Sequence, residues 1–139
     1  MTSVFVDASY FIALFLPGDQ WKETAQEARR LLGDVDLVTT DEILSEFLTG
    51  MSRGGPVFRE RALVAVQGIL RDGIIRVMPQ TRPSFLDGLN RFGRRMDKSY
   101  SLQDCIAMNV MEAEGITQVL TSDHNFEQEG FTILMKLDR

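Results

Sequence analysis

The stretch Ser3-Val4-Phe5-Val6-Asp7-Ala8-Ser9-Tyr10-Phe11-Ile12-Ala13-Leu14-Phe15-Leu16-Pro17-Gly18 decides the fold. Its opening residues form a short apolar run rich in β-branched and aromatic side chains, without polar alternation. That is the mark of a strand buried on both faces. The run stops at Asp7. Residues 8–16 are again apolar, carry helix formers, and end at Pro17-Gly18. The stretch is too short to span a bilayer and is broken by an acid. It also lacks the basic start of a signal peptide. It reads as a buried strand running into a helix.

Working outward, residues 21–32 are amphipathic, with Ala25, Ala28, Leu31 and Leu32 on one side and Gly33 as the stop. Leu37-Val38-Thr39 is a second strand. Thr40 suits an N-cap, and residues 41–51 place Ile43, Leu44, Phe47, Leu48 and Met51 on one helical face. After Gly54-Gly55-Pro56 a helix is expected over 57–71, a turn at Asp72-Gly73, and a third strand over 74–78. A helix follows over 83–96. Ser101-Leu102-Gln103-Asp104 has the form of a capping box and opens a helix to Glu114, which Gly115 ends. Strands are expected over 118–121 and 131–134. Short apolar strands alternating with longer helices mean a mostly parallel sheet covered on both faces. The expected fold is α/β: a three-layer α/β/α sandwich with a doubly wound sheet of about five strands, in a single domain over residues 1–139.

Composition narrows the chemistry. The one cysteine, Cys105, cannot form a disulfide within the chain, so a cytoplasmic setting is expected. The one histidine, His124, excludes a two-histidine acid–base pair and any Cys/His zinc cluster. Any catalysis therefore leans on carboxylates and hydroxyls. The net charge of −5 argues against a nucleic-acid binder that works by a basic surface alone. Basic residues nevertheless concentrate between Arg82 and Lys98. Arg82, Arg91, Arg94, Arg95 and Lys98 stand there against Asp87 and Asp97. This segment is either a solvated helix end or an edge that contacts phosphates.

In a parallel sheet, strand C-termini and helix N-termini meet at one edge, where ligands bind. Asp7 ends the first strand, and Asp123 lies just past the fourth. Asp104 lies in the first turn of one helix, and Glu46 in the second turn of another. Carboxylates gathered at one edge repel unless a cation binds, and all-oxygen ligands suit Mg²⁺ or Mn²⁺. Each has a plainer role open to it: Asp104 as a capping acid, Asp123 as a turn residue. Periodicity alone does not choose between Glu46 and Glu42. Asp7 is the hardest to explain structurally, because a carboxylate inside an apolar run must find partners.

Four stretches together resemble the acidic motifs of PIN-domain ribonucleases, closest to VapC-like toxins and their solitary relatives. They are Val4-Phe5-Val6-Asp7-Ala8-Ser9, Thr39-Thr40 with Glu46, Ser101-Leu102-Gln103-Asp104, and Thr121-Ser122-Asp123-His124-Asn125-Phe126. The last, continuing through Gly130-Phe131, is the most specific. The resemblance runs from Ser3 to about Leu134 in the family's order and rough spacing. It implies a Mg²⁺- or Mn²⁺-dependent endoribonuclease with Asp7, Glu46, Asp104 and Asp123 as catalytic, metal-binding acids. It selects Glu46 over Glu42 and assigns supporting hydroxyls to Ser9 and Ser122. It further implies an RNA substrate, a small antitoxin partner and a homodimer.

Phosphates carry no sequence information, so RNA contacts must come from surrounding loops. Arg53, Arg94, Arg95 and Lys98 are the candidates, and His124 reads as a surface residue. A HAD-like phosphatase is one alternative, but it wants a second Asp where Ser9 stands. A Mg²⁺-binding receiver domain is another, but it wants adjacent acids where Val6 precedes Asp7.

Overall fold

The computed structural model describes residues 1–137. Twelve elements follow in the order β1 (Ser3–Val6), α1 (Ala8–Phe15), α2 (Lys22–Leu32), β2 (Asp36–Thr40), α3 (Asp41–Ser52), α4 (Pro56–Asp72), β3 (Ile75–Met78), α5 (Arg82–Arg94), α6 (Leu102–Glu114), β4 (Gln118–Leu120), α7 (Asn125–Gln128) and β5 (Thr132–Ile133). The five strands form one sheet in the order β3-β2-β1-β4-β5. Every pairing is parallel. The expected doubly wound α/β architecture is what the chain adopts.

The apolar run at the start is the central strand. Val4, Phe5 and Val6 are fully buried, because β1 pairs on both sides and is covered on both faces. Burying side chains of this size contributes roughly 1.5–3 kcal/mol each. From β1 the chain steps outward to β2 and β3, then returns across the sheet to β4 and β5. Right-handed crossovers place the outward and the returning connections on opposite faces. The direction changes between β1 and β4, which opens a crevice beyond their C-terminal ends. Asp7 lies at that crevice, its backbone N–H donating to the carbonyl of Leu120 at 3.1 Å.

Both N-caps that matter for the crevice form as the sequence indicates. Thr40 Oγ1 accepts from the Ile43 N–H at 3.1 Å and starts α3. The Ser101 hydroxyl accepts from the Asp104 N–H, and the Asp104 carboxylate accepts from the Ser101 N–H. Three details depart from expectation. The helix expected over 83–96 stops at Arg94, since Arg95 leaves helical geometry. The last strand contracts to Thr132–Ile133. Residues 125–128 form a single helical turn, α7, which the short polar sequence did not announce.

Helix α6 is held close to α5 at Gly88. A Cβ built there would lie 2.5 Å from Ile106 Cγ1 and 3.2 Å from Leu102 Cδ1. Gly68, within α4, has only the tip of Arg71 within reach, at 3.8 Å. Gly68→Ala is therefore expected to stabilise by up to about 1 kcal/mol through helix propensity. Gly88→Ala is expected to destabilise by about 1–3 kcal/mol through overpacking. Urea unfolding of the two variants checks this; a stabilised Gly88→Ala would contradict the close approach.

Candidate active site

Asp7 caps the end of the buried strand and starts α1 without making a side-chain cap. Its carboxylate is almost wholly removed from water, at 3% exposure. One oxygen, Oδ2, accepts from Thr121 Oγ1 at 2.6 Å and from Ser9 Oγ at 3.3 Å. The other, Oδ1, is buried with no hydrogen-bond partner among the described residues. Helix α3 brings Glu46 to the same place, and its Oε2 is likewise buried and unpartnered. Helix α6 brings Asp104 in its first turn. One carboxylate oxygen from each of Asp7, Glu46 and Asp104 lies within 4.8 Å of the others.

Asp123 stands beside this trio. Its charge acts on Asp7, Glu46 and Asp104. It is held by the turn that follows: the Asn125 N–H donates to Asp123 Oδ1 at 2.9 Å, and the Asp123 N–H donates to Thr121 Oγ1 at 3.1 Å. The Thr121 hydroxyl thus links the Asp7 carboxylate to the Asp123 backbone.

The electrostatics follow from burial and crowding. Burial pushes the Asp7 carboxyl above its ordinary value, and the charge of Asp123 adds to the rise against the opposing hydrogen bonds of Thr121 and Ser9. Burial, then the charges of Asp7, Asp104 and Asp123, push Glu46 up to about 7. Burial and the charge of Asp7 push Asp104 up to about 6, even though Ser101 hydrogen-bonds its ionised form. Unpaired buried carboxylate oxygens are costly and rare in native structures. A hard cation removes both problems at once, by ligating the free oxygens and cancelling the repulsion. With oxygen donors only, the set fits Mg²⁺ or Mn²⁺ and not a thiolate-preferring metal.

The PIN domain family model matches residues 4–131. The chain belongs to the PIN domain family. Among curated protein sequences there is no significant match. Among solved structures, VapC20 from Mycobacterium tuberculosis, described as a sarcin–ricin loop cleaving toxin, is similar at 27% identity and a TM-score of 0.83, over 96% of this chain and 99% of that one. FitAcB from Neisseria gonorrhoeae shares the fold at 12% identity and a TM-score of 0.64, covering 94% and 96% of the two chains. A toxin–antitoxin complex from Klebsiella pneumoniae does so at 12% identity and a TM-score of 0.59, covering 87% of each. The phosphatase and receiver alternatives have no such support.

Within this PIN domain, the supporting hydroxyls differ from expectation in one respect. Ser9 does reach Asp7, but Ser122 contributes its backbone N–H, to Ser9 Oγ at 3.2 Å. The hydroxyl that reaches an acid from this segment is that of Thr121, one residue earlier, which donates to Asp7 and accepts from the Asp123 N–H. Read as the last residue of a strand, Thr121 gave no reason to be singled out. Its signal is a hydroxyl at the end of the strand beside the Asp7 strand.

The basic segment divides between paired and exposed charges. Arg91 is buried and pairs with Glu112 and Glu129. Arg95 Nε donates to both oxygens of Glu129, at 3.0 and 3.1 Å. Arg91 is buried and Arg95, half-buried, is paired with Glu129, so residues 82–98 do not present a continuous cationic face. Lys98 lies 3.5 Å from Asp97. Arg53 and Arg94 are exposed and form no ion pair with another described residue. His124 is exposed and contacts Glu127 at 2.9 Å.

The raised acids have a defined consequence for the metal-free protein. Their folded values exceed the ordinary values of 4.5 for Glu46 and 3.8 for Asp104. The folded state therefore holds protons that the unfolded chain releases. Their stabilising contribution is complete at low pH and is lost as pH rises through about 6 to 7. In EDTA, melting should fall by the equivalent of roughly 1–2 kcal/mol between about pH 5 and pH 8, and Glu46→Gln should flatten the curve. With Mn²⁺ the trend should reverse, because ligands bind deprotonated. Melting curves across pH check this; an EDTA profile identical in parent and Glu46→Gln contradicts the crowding.

Proposed function

We propose that this PIN protein is a metal-dependent endoribonuclease that hydrolyses RNA phosphodiester bonds, with Asp7, Glu46, Asp104 and Asp123 holding Mg²⁺ or Mn²⁺. The observation that carries this reading is the pair of buried, unpartnered oxygens on Asp7 and Glu46, two acids whose carboxylates gather with that of Asp104 within 4.8 Å. Family membership supports a nuclease, and the matched region supports a single domain over the whole chain.

A bound divalent ion supplies two things: a water of lowered pKa, and relief of the charge that develops on the phosphate and leaving oxygen. The protein's own part is preorganisation. Thr121 and Ser9 fix Asp7 through Oδ2, which leaves Oδ1 as the free ligand atom. The Ser101 N–H fixes Asp104 through Oδ2 at 3.1 Å. Asn125 fixes Asp123. Asp104 therefore caps α6 and faces the cluster at the same time. Phosphate contacts fall to Arg53, Arg94 and Lys98, since Arg95 is committed to Glu129. The likeness to VapC20, itself a toxin, supports the toxin class. A toxin made inside a cell needs an inhibitor, so a small antitoxin encoded beside this chain, a cytoplasmic setting and a homodimer belong to the same reading.

Purified protein should cut single-stranded or loop-rich RNA with Mg²⁺ or Mn²⁺, stop in EDTA, and resume when metal is restored. Asp123→Asn should lower the rate by about 100-fold or more, as loss of a metal ligand does. Cleavage that persists in excess chelator would overturn the metal reading.

A further inference from the structure

Glu129 is a buried carboxylate outside the acid cluster, with its side chain 8% exposed. It accepts from Arg91 Nη1 at 2.6 Å, from Arg95 Nε at 3.0 and 3.1 Å, and from the Tyr100 hydroxyl at 3.1 Å. Burial alone would push its carboxyl up, but the hydrogen bonds of Arg95 and Tyr100 and the two arginine charges hold it below the ordinary glutamate value. It is therefore a fixed anion joining separate parts of the chain. Arg91 carries the connection further, donating to Asn109 Oδ1 at 2.8 Å and pairing with Glu112, both on α6.

The two segments joined at Glu129 each carry an acid of the cluster. Tyr100 is buried and immediately precedes Ser101, whose hydroxyl and N–H set Asp104 at the start of α6. On the other side, Glu129 closes the α7 turn. That turn is tied down: Phe126 is fully buried, the Asn125 N–H donates to Asp123 Oδ1, and the Phe131 N–H donates to the Phe126 carbonyl at 3.1 Å. Asp104 and Asp123 repel each other, and no direct bond between them opposes that. Apart from a long contact of the Ser99 hydroxyl to Asn125 Oδ1 at 3.4 Å, the polar bonds that tie the two segments together lie on the far side of both, at Glu129.

We propose that Glu129 is a positioning residue that, with Arg91, Arg95 and Tyr100, sets the spacing of Asp104 and Asp123. The proposal rests on the metal-nuclease reading for its purpose, but the mechanical coupling stands on these contacts alone. The two parts separate in one set of measurements. In EDTA, the amides of Ser101, Asp104, Asp123 and Asn125 report on the two segments. Glu129→Ala should speed their hydrogen exchange about tenfold or more, with Val4 to Val6 unchanged. Glu129→Gln, which keeps an acceptor but loses the charge, should fall between and carries the comparison if the alanine variant does not fold.

Arg76→Ala breaks a comparable surface network, to Asp36 and Glu114, and should leave all four amides as in the parent. Calorimetric titration should show Mn²⁺ binding about tenfold weaker in the Glu129 variant, as for other groups that orient metal ligands. Unchanged exchange at the four amides, or equal acceleration in Arg76→Ala, would overturn the proposal. A parent that binds no Mn²⁺ would overturn the metal reading instead, and the exchange comparison would still decide the coupling.

Discussion

Carboxylates that share a dehydrated pocket repel one another, and the upper edge of this sheet is organised around containing that repulsion. Asp7 sits where the central strand ends, and it cannot retreat into water without unpairing β1 from β4. Glu46 and Asp104 are delivered by helices locked into the core through Ile43 and Phe47 on α3 and Met108 and Met111 on α6. The backbone thus holds charges together that would separate if free. Two of their oxygens are left without partners. Such a cost persists only where the surrounding structure enforces it, and costs of this kind cluster at functional sites.

The surrounding hydrogen bonds have one feature in common: each donates to one oxygen of an acid and so favours its ionised form. Thr121 and Ser9 take Oδ2 of Asp7, and the Ser101 N–H takes Oδ2 of Asp104. Hydrogen bonds of this kind lower a carboxyl's pKa, whereas burial and crowding raise it. At Asp7, Glu46 and Asp104 burial prevails. The opposite balance holds at Glu129, where two guanidinium groups outweigh burial. The same residue type is thus a stable anion in one place and a proton-holding ligand in another, according to what faces it.

This division explains what the sequence revealed and what it withheld. The apolar run at Val4-Phe5-Val6 had no room for a solvated face, so a central strand was legible. So was the oddity of Asp7, because a charge ending such a run lacks a local explanation. The capping box at Ser101-Asp104 was legible because its bonds are local. Its second role was not legible from that local pattern, since it depends on Asp7, 97 residues away; only the expected sheet topology and the family resemblance pointed to it. Glu46 and Glu42 share the polar side of one helix, and only tertiary placement and family resemblance separate them. Thr121 and the Arg91–Glu129–Tyr100 network form through contacts across many residues, and composition presented those arginines as surface charge.

The central claim is that the acid cluster stores repulsion which a divalent cation relieves. The most direct measurement is the melting of Asp104→Asn beside the parent, in EDTA and with Mn²⁺. Asparagine keeps the shape and an acceptor for the Ser101 N–H but removes one negative charge. In EDTA the variant should be as stable as the parent, or more stable by roughly 0.5–2 kcal/mol. With Mn²⁺ it should lose most of the stabilisation that the parent gains. A variant that melts below the parent in EDTA, yet gains as much from Mn²⁺, would show Asp104 to be a capping acid and contradict the account.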